Sequence, residues 1–174
     1  RSSAASDVYK RQSITSVEST LPKIYLHSNG VTLVARSSAV VGQSYTYNGT
    51  SYMVVDDSNI SAQVAADNFN LVTTRVTSMY RMFRNDGSFN TDIGFWDTSS
   101  VTNMDQMFVN ASSFNQNISS WDVSNVTNMN SAFQNSAFNS NIGSWDVSSV
   151  TIMSSVFYSN EAFNQNIGSW DVSS

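Results

Sequence analysis

From Val76 onward the chain repeats one pattern of about 25 residues four times without a break. In one-letter form the pattern is V-T-x-M-x-x-x-F, five or six residues, then F-N-x-x-I-x-x-W-D-x-S. A fixed period of that size constrains the fold more than any composition does, because each unit is too small to bury its apolar side chains alone and must stack on its neighbours. The register holds residue by residue. Val76, Val101, Val126 and Val150 open the units, with Met79, Met104, Met129 and Met153 and then Phe83, Phe108, Phe133 and Phe157 following. The second halves carry Phe89, Phe114, Phe138 and Phe163, the isoleucines 93, 118, 142 and 167, and the tryptophans 96, 121, 145 and 170. The units are therefore 76–100, 101–125, 126–149 and 150–174. The third is one residue shorter, and the deletion between its two phenylalanines marks a turn.

Charge narrows the function. No Lys or Arg follows Arg84, whereas eight carboxylates do, and the net charge of the chain is -5. Nucleic acid requires cationic contacts to phosphate, so the repeats are not expected to bind it. No run of eighteen apolar residues is present, so no membrane-spanning helix is expected within the sequence. With no cysteine in the chain, disulfides and thiolate chemistry are excluded. The single histidine is His27, beside a turn, and Glu18 and Glu161 are the only glutamates, so no acid/base pair is signalled and no enzymatic activity is expected.

Residues 13–75 follow a different grammar. Lys23–Ala35 and Gln43–Val55 each alternate around an Asn-Gly pair, at 29–30 and 48–49, and Asn-Gly favours the positive φ angles of tight hairpin turns. Two β-hairpins are expected. A short helix capped by Ser58 and running to about Asp67, with Ile60, Val64 and Ala65 inward, and a short strand at Leu71–Thr73 complete the segment. It reads as a cap over the first unit. Residues 1–12 stand apart: Asp7–Gln12 matches an in-frame translation of a transposon-end sequencing adapter, and these residues are not expected to belong to the fold. At the other end, Asp171–Ser174 leads by the pattern into a further Val-Thr-x-Met, so more repeats are expected beyond it.

Within a unit the periodicity switches. Val126, Met129, Ala132 and Phe133 share one face of a short helix, with Ser124 as N-cap. Phe138–Asp146 is too short and too rich in Asn, Ser and Gly for a second helix and reads as extended, with Ile142 and Trp145 inward. The expected class is thus α/β: a leucine-rich-repeat-like solenoid with one short helix and one short strand per repeat, preceded by a β-hairpin cap.

The strings Phe114–Met129 and Phe163–Val172 resemble the repeat of bacterial surface proteins of the BspA-like, leucine-rich-repeat group. The resemblance covers residues 76–174. It implies a secreted or lipid-anchored protein at the cell surface, non-catalytic, with roles in adhesion to a protein or glycan, and it carries no catalytic residues. A spacer or surface-layer scaffold with no ligand of its own is the alternative.

Three columns of polar residues recur with the repeat. Asp97, Asp122, Asp146 and Asp171 stack like charges, which calcium could compensate; the simpler reading is that each accepts backbone N–H groups in the turn after Trp, with no cofactor. Asn90, Asn115, Asn139 and Asn164 are expected to hydrogen-bond from unit to unit. Thr77, Thr102, Thr127 and Thr151 are placed on the expected helix, which argues against a flat ice-binding face. Tyr80, Gln116, Tyr158 and Gln165 are the candidates for a binding face.

Overall fold

The computed structural model describes residues 21–173. The adapter-like residues 1–12 and the start of the 13–75 segment lie outside them.

Two hairpins form where the Asn-Gly pairs stand. Strands β1 (Ile24–Leu26) and β2 (Leu33–Ala35) pair antiparallel, Ile24 opposite Ala35. Their connection is wider than a two-residue turn: the His27 amide donates to the Thr32 carbonyl at 2.7 Å, and Asn29 Oδ1 accepts the amides of Val31 and Thr32 inside the loop. Strands β3 (Ser44–Tyr47) and β4 (Thr50–Asp56) are joined by a tight turn in which Asn48 and Gly49 have φ of 48° and 81°. Both angles are positive, the geometry that the Asn-Gly pair favours.

A six-residue helix, α1 (Ile60–Ala65), then carries the chain over to β5 (Leu71–Arg75), which lies parallel to β4. The helix is shorter than expected and is not capped by Ser58. Asn59 holds the N-cap position, the Ser58 hydroxyl donates instead to Asp56 Oδ1 at 2.6 Å, and Ala65 faces solvent.

In the three-stranded sheet β3-β4-β5, strands β4 and β5 bury residues on both faces because alternate residues point to opposite sides. Val54 and Val72 face Ile24 and Leu33 of the first hairpin, whereas Val55 and Leu71 join the core of the repeats. Phe69 completes that junction. Its ring lies 5.3 Å from Phe89 and 6.3 Å from Phe83, and its carbonyl accepts the Trp96 indole N–H.

The leucine-rich-repeat-like solenoid is not what forms. Among the described residues the regular elements are five short strands in two sheets and one small helix, all before Val76, and no repeat contains a helix or a strand. Each repeat is a rung of consecutive turns that meets the next through isolated parallel bridges, Ser78 to Asn103, Asn103 to Asn128 and Asn128 to Ile152.

The reason lies in where the amides point. In the segment expected to be helical, Arg81 and Asn85 both have positive φ, and so do Gln106 and Asn110, Ser131 and Asn135, Ser155 and Ser159. Two left-handed residues per rung break any right-handed helix. They also turn every second N–H along the stack. The amides of Met104, Gln106, Phe108 and Asn110 donate to the carbonyls of Asn128, Asn130, Ala132 and Gln134 of the following rung, at 2.8 to 3.0 Å. An α-helix would have closed those bonds internally, and so short a Ser/Asn/Thr-rich segment is a poor helix in isolation. Ser124 accordingly caps nothing; its hydroxyl donates to Asp122.

The apolar reading survives this change of backbone. Val126, Met129, Phe138 and Ile142 are fully buried, with Ala132, Phe133 and Trp145 nearly so. Phenylalanine rings run through the stack in two parallel columns: Phe83, Phe108 and Phe133 follow one another at 5.3 and 5.4 Å, Phe89, Phe114 and Phe138 at 5.5 and 5.9 Å. Trp121, Trp145 and Trp170 stack at 6.5 Å with nearly parallel planes. At roughly 1.5–3 kcal/mol for each large side chain fully buried, this continuous core is the main stabilising term of the rungs.

Candidate functional site

The aspartates of the repeat turn have a local task. Oδ1 of Asp97, Asp122, Asp146 and Asp171 accepts both the amide and the hydroxyl of the serine two residues later, with hydroxyl distances of 2.6 to 2.7 Å. Ser148 and Ser173 thereby hold the carboxyls of Asp146 and Asp171 below the usual carboxylate range, most through the hydroxyl bond. Asp97 is buried beneath the N-terminal hairpin, and the other three are exposed. Among the described residues no group of three or more His, Cys, Asp or Glu is placed to hold a metal ion.

The asparagine column binds rung to rung through the backbone. Oδ1 of Asn90, Asn115 and Asn139 accepts the amide of Asn115, Asn139 and Asn164 respectively, at 2.8 to 3.0 Å. A second column that the repeat pattern did not single out forms the amide-to-amide ladder: Asn110 Nδ2 donates to Asn85 Oδ1 at 2.6 Å and Asn135 Nδ2 to Asn110 Oδ1 at 2.8 Å. These three are also left-handed residues, a conformation asparagine tolerates well, and that was the available signal. The threonines lie on no helix. The amides and hydroxyls of Thr102, Thr127 and Thr151 all donate to the carbonyl of the threonine one rung back.

The four binding-face candidates are not brought together. Gln116 Nε2 donates to the Asn90 carbonyl and side chain, and Gln165 Nε2 to Asn139 Oδ1, so both glutamines tie neighbouring rungs. Tyr80 sits on the first rung under the Arg81 guanidinium, whose carbon lies 4.7 Å from the ring centroid, and Tyr158 sits on the fourth rung. They are 46% and 64% exposed, the least engaged aromatic groups of the repeats.

Two features were not visible in the repeat pattern. Asp57 follows β4 and reaches the first rung, accepting the amides of Thr77 and Ser78 and the Thr77 hydroxyl. Partial desolvation pushes its carboxyl up, but those three bonds together hold it below the usual range. A crevice of about 190 Å³ opens where the 27–32 loop meets the first two rungs, lined among others by His27, Asn29, Asp97 and Asp122. Oδ1 of both aspartates is already engaged by serine.

The sequence from 50 to 170 matches the family described as Mycoplasma protein of unknown function, DUF285. The chain belongs to that family. The match begins at β4 and runs through all four rungs, so it takes in the parallel sheet as well as the repeats. No curated protein and no solved structure matches the chain. No helix among the described residues is long and apolar enough to cross a membrane.

Proposed function

We propose that this member of the DUF285 family is a non-catalytic protein of the cell surface whose stacked rungs act as a stiff scaffold. The observation that carries the reading is the use of the recurring polar side chains. Aspartate, asparagine, threonine and glutamine, the groups that would recognise a ligand on a regular face, are engaged in holding a turn or a neighbouring rung. A face whose polar atoms are already paired offers a partner little unsatisfied hydrogen-bonding capacity. The likeness of the repeat to surface-protein repeats supports the location outside the cell. An antibody against the rungs should label intact cells, and protease added to them should remove the label; signal appearing only after permeabilisation contradicts the reading.

An adhesive role is the second reading, favoured by the exposed rings of Tyr80 and Tyr158. Aromatic side chains supply large rigid contact area and are common anchors of protein and glycan recognition. Binding of the purified chain to arrays of glycans and matrix proteins, lost on Tyr158→Ala with an unchanged melting temperature, would establish it and displace the pure scaffold.

A further inference from the structure

Two Asn-Gly pairs stand at hairpin turns, Asn29-Gly30 and Asn48-Gly49, and the fold treats them differently. All four residues are exposed, and a Cβ added to either glycine would meet nothing within 4 Å, so access does not separate the pairs. Hydrogen bonding does. The Asn29 carboxamide is held on both sides: Oδ1 accepts the amides of Val31 and Thr32 at 3.0 Å, and Nδ2 donates to Thr32 Oγ1 at 2.8 Å. The Gly30 amide is committed too, donating to the His27 carbonyl at 3.0 Å. Asn48 is the opposite case. Among the described residues its side chain makes no hydrogen bond, and the Gly49 amide donates to no carbonyl, because the paired strands stop at Tyr47 and resume at Thr50.

We propose that Asn48 is a site of spontaneous backbone modification, the one of the two pairs that the fold leaves reactive. The Gly49 nitrogen attacks Asn48 Cγ, the Cγ–Nδ2 bond breaks, and ammonia leaves with the Gly49 amide proton. Glycine suits this attack because it has no side chain to hinder its nitrogen. The cyclic imide that results takes up one water. Opening at one carbonyl gives aspartate, and opening at the other gives isoaspartate, in which the main chain runs through the former side-chain carbon. At Asn29 the same attack would first have to break three carboxamide bonds and withdraw the Gly30 N–H from its acceptor. Either product puts a carboxylate where the turn was neutral. Isoaspartate also lengthens the backbone by one carbon at the turn that sets the β3–β4 register. Strand β3 lies at the edge of the sheet and pairs only with β4, so the loosening is confined to that edge.

The test ages the purified full chain in mildly alkaline buffer, folded and in parallel unfolded in urea, and follows both Asn-Gly peptides by mass spectrometry after digestion in acid. In urea the two pairs should react at similar rates. In the folded chain Asn48 should gain the mass of an amide-to-acid exchange, as two chromatographic products, at least about tenfold faster than Asn29. Hydrogen exchange in the aged chain should quicken at β3 and stay unchanged at rung amides such as that of Phe108. Equal rates at the two pairs in the folded chain overturn the proposal, as does an Asn48 that stays intact while the unfolded chain is converted. Exchange that quickens throughout the rungs overturns the confinement to the hairpin.

Discussion

The sheet region before Val76 and the rungs after it bury similar side chains, but they satisfy their backbones in opposite ways. In β1–β2 and β3–β4 the partner strand is a few residues away, and the Asn48-Gly49 turn fixes the register locally. In the rungs the backbone bonds that define the register join residues 23 to 26 apart, and what is local is only a chain of turns. The lesson is that a left-handed residue can either reverse a strand or re-aim an amide toward a neighbouring rung. Asn48 and Asn110 have φ of 48° and 60°, almost the same conformation with different consequences. β5 belongs to both worlds, since it is a sheet strand whose Thr73 hydroxyl donates to the Asp97 carbonyl as Thr98 does to Asp122 one rung on.

The largest test of this contrast removes a rung's central ring. Trp121 is almost buried, lies 6.5 Å from Trp145 and donates its indole N–H to the Ile93 carbonyl. Trp121→Ala should cost about 3–5 kcal/mol and lower the melting temperature of the whole stack, since each rung leans on its neighbours. An unchanged melting temperature would break the core assignment.

A matched pair sharpens the comparison between the asparagines. Asn110→Ala should cost about 1–2 kcal/mol, losing a favourable left-handed residue and two ladder bonds, whereas Asn48→Ala should cost about half as much because its penalty is conformational alone. Equal losses in chemical denaturation would show that the side-chain ladder contributes nothing.

Acid separates the two regions more gently. Asp57 couples the end of β4 to the first rung, and its carboxyl is held below the usual range. A group depressed in this way contributes stability above its unfolded value and loses it as pH falls through the folded one. Stability should therefore decline on acidification below the ordinary carboxylate range, and Asp57→Asn should flatten that decline. The carboxylate is exposed, so the loss at neutral pH should be about 1 kcal/mol or less. A variant with the same acid profile as the parent would remove Asp57 from the coupling.

Much of this architecture is legible in the residues. The alternation around Asn-Gly gives both hairpins, and the columns of Val, Met, Phe, Ile and Trp give the core almost without error, because burial follows side-chain chemistry whatever the backbone does. Backbone conformation inside the rung was not legible from apolar spacing. Val126, Met129 and Phe133 recur at helical intervals, and a string of turns carrying a left-handed residue at Ser131 and another at Asn135 places them on one side just as well. Only the amides distinguish the two, and side-chain periodicity contains no information about where an amide points. The two glutamines among the binding-face candidates illustrate a related point. Gln116 and Gln165 look free along the sequence, but their partners lie one period back.

The central claim is that the rungs are joined by amides aimed at the next repeat, and the most direct measurement is the scalar coupling carried across those hydrogen bonds in NMR. The Phe108 amide donates to the Ala132 carbonyl at 2.9 Å, so a coupling should join the Phe108 nitrogen to the Ala132 carbonyl carbon. A coupling from Phe108 to the Met104 carbonyl instead, the partner an α-helix would supply, would contradict the account.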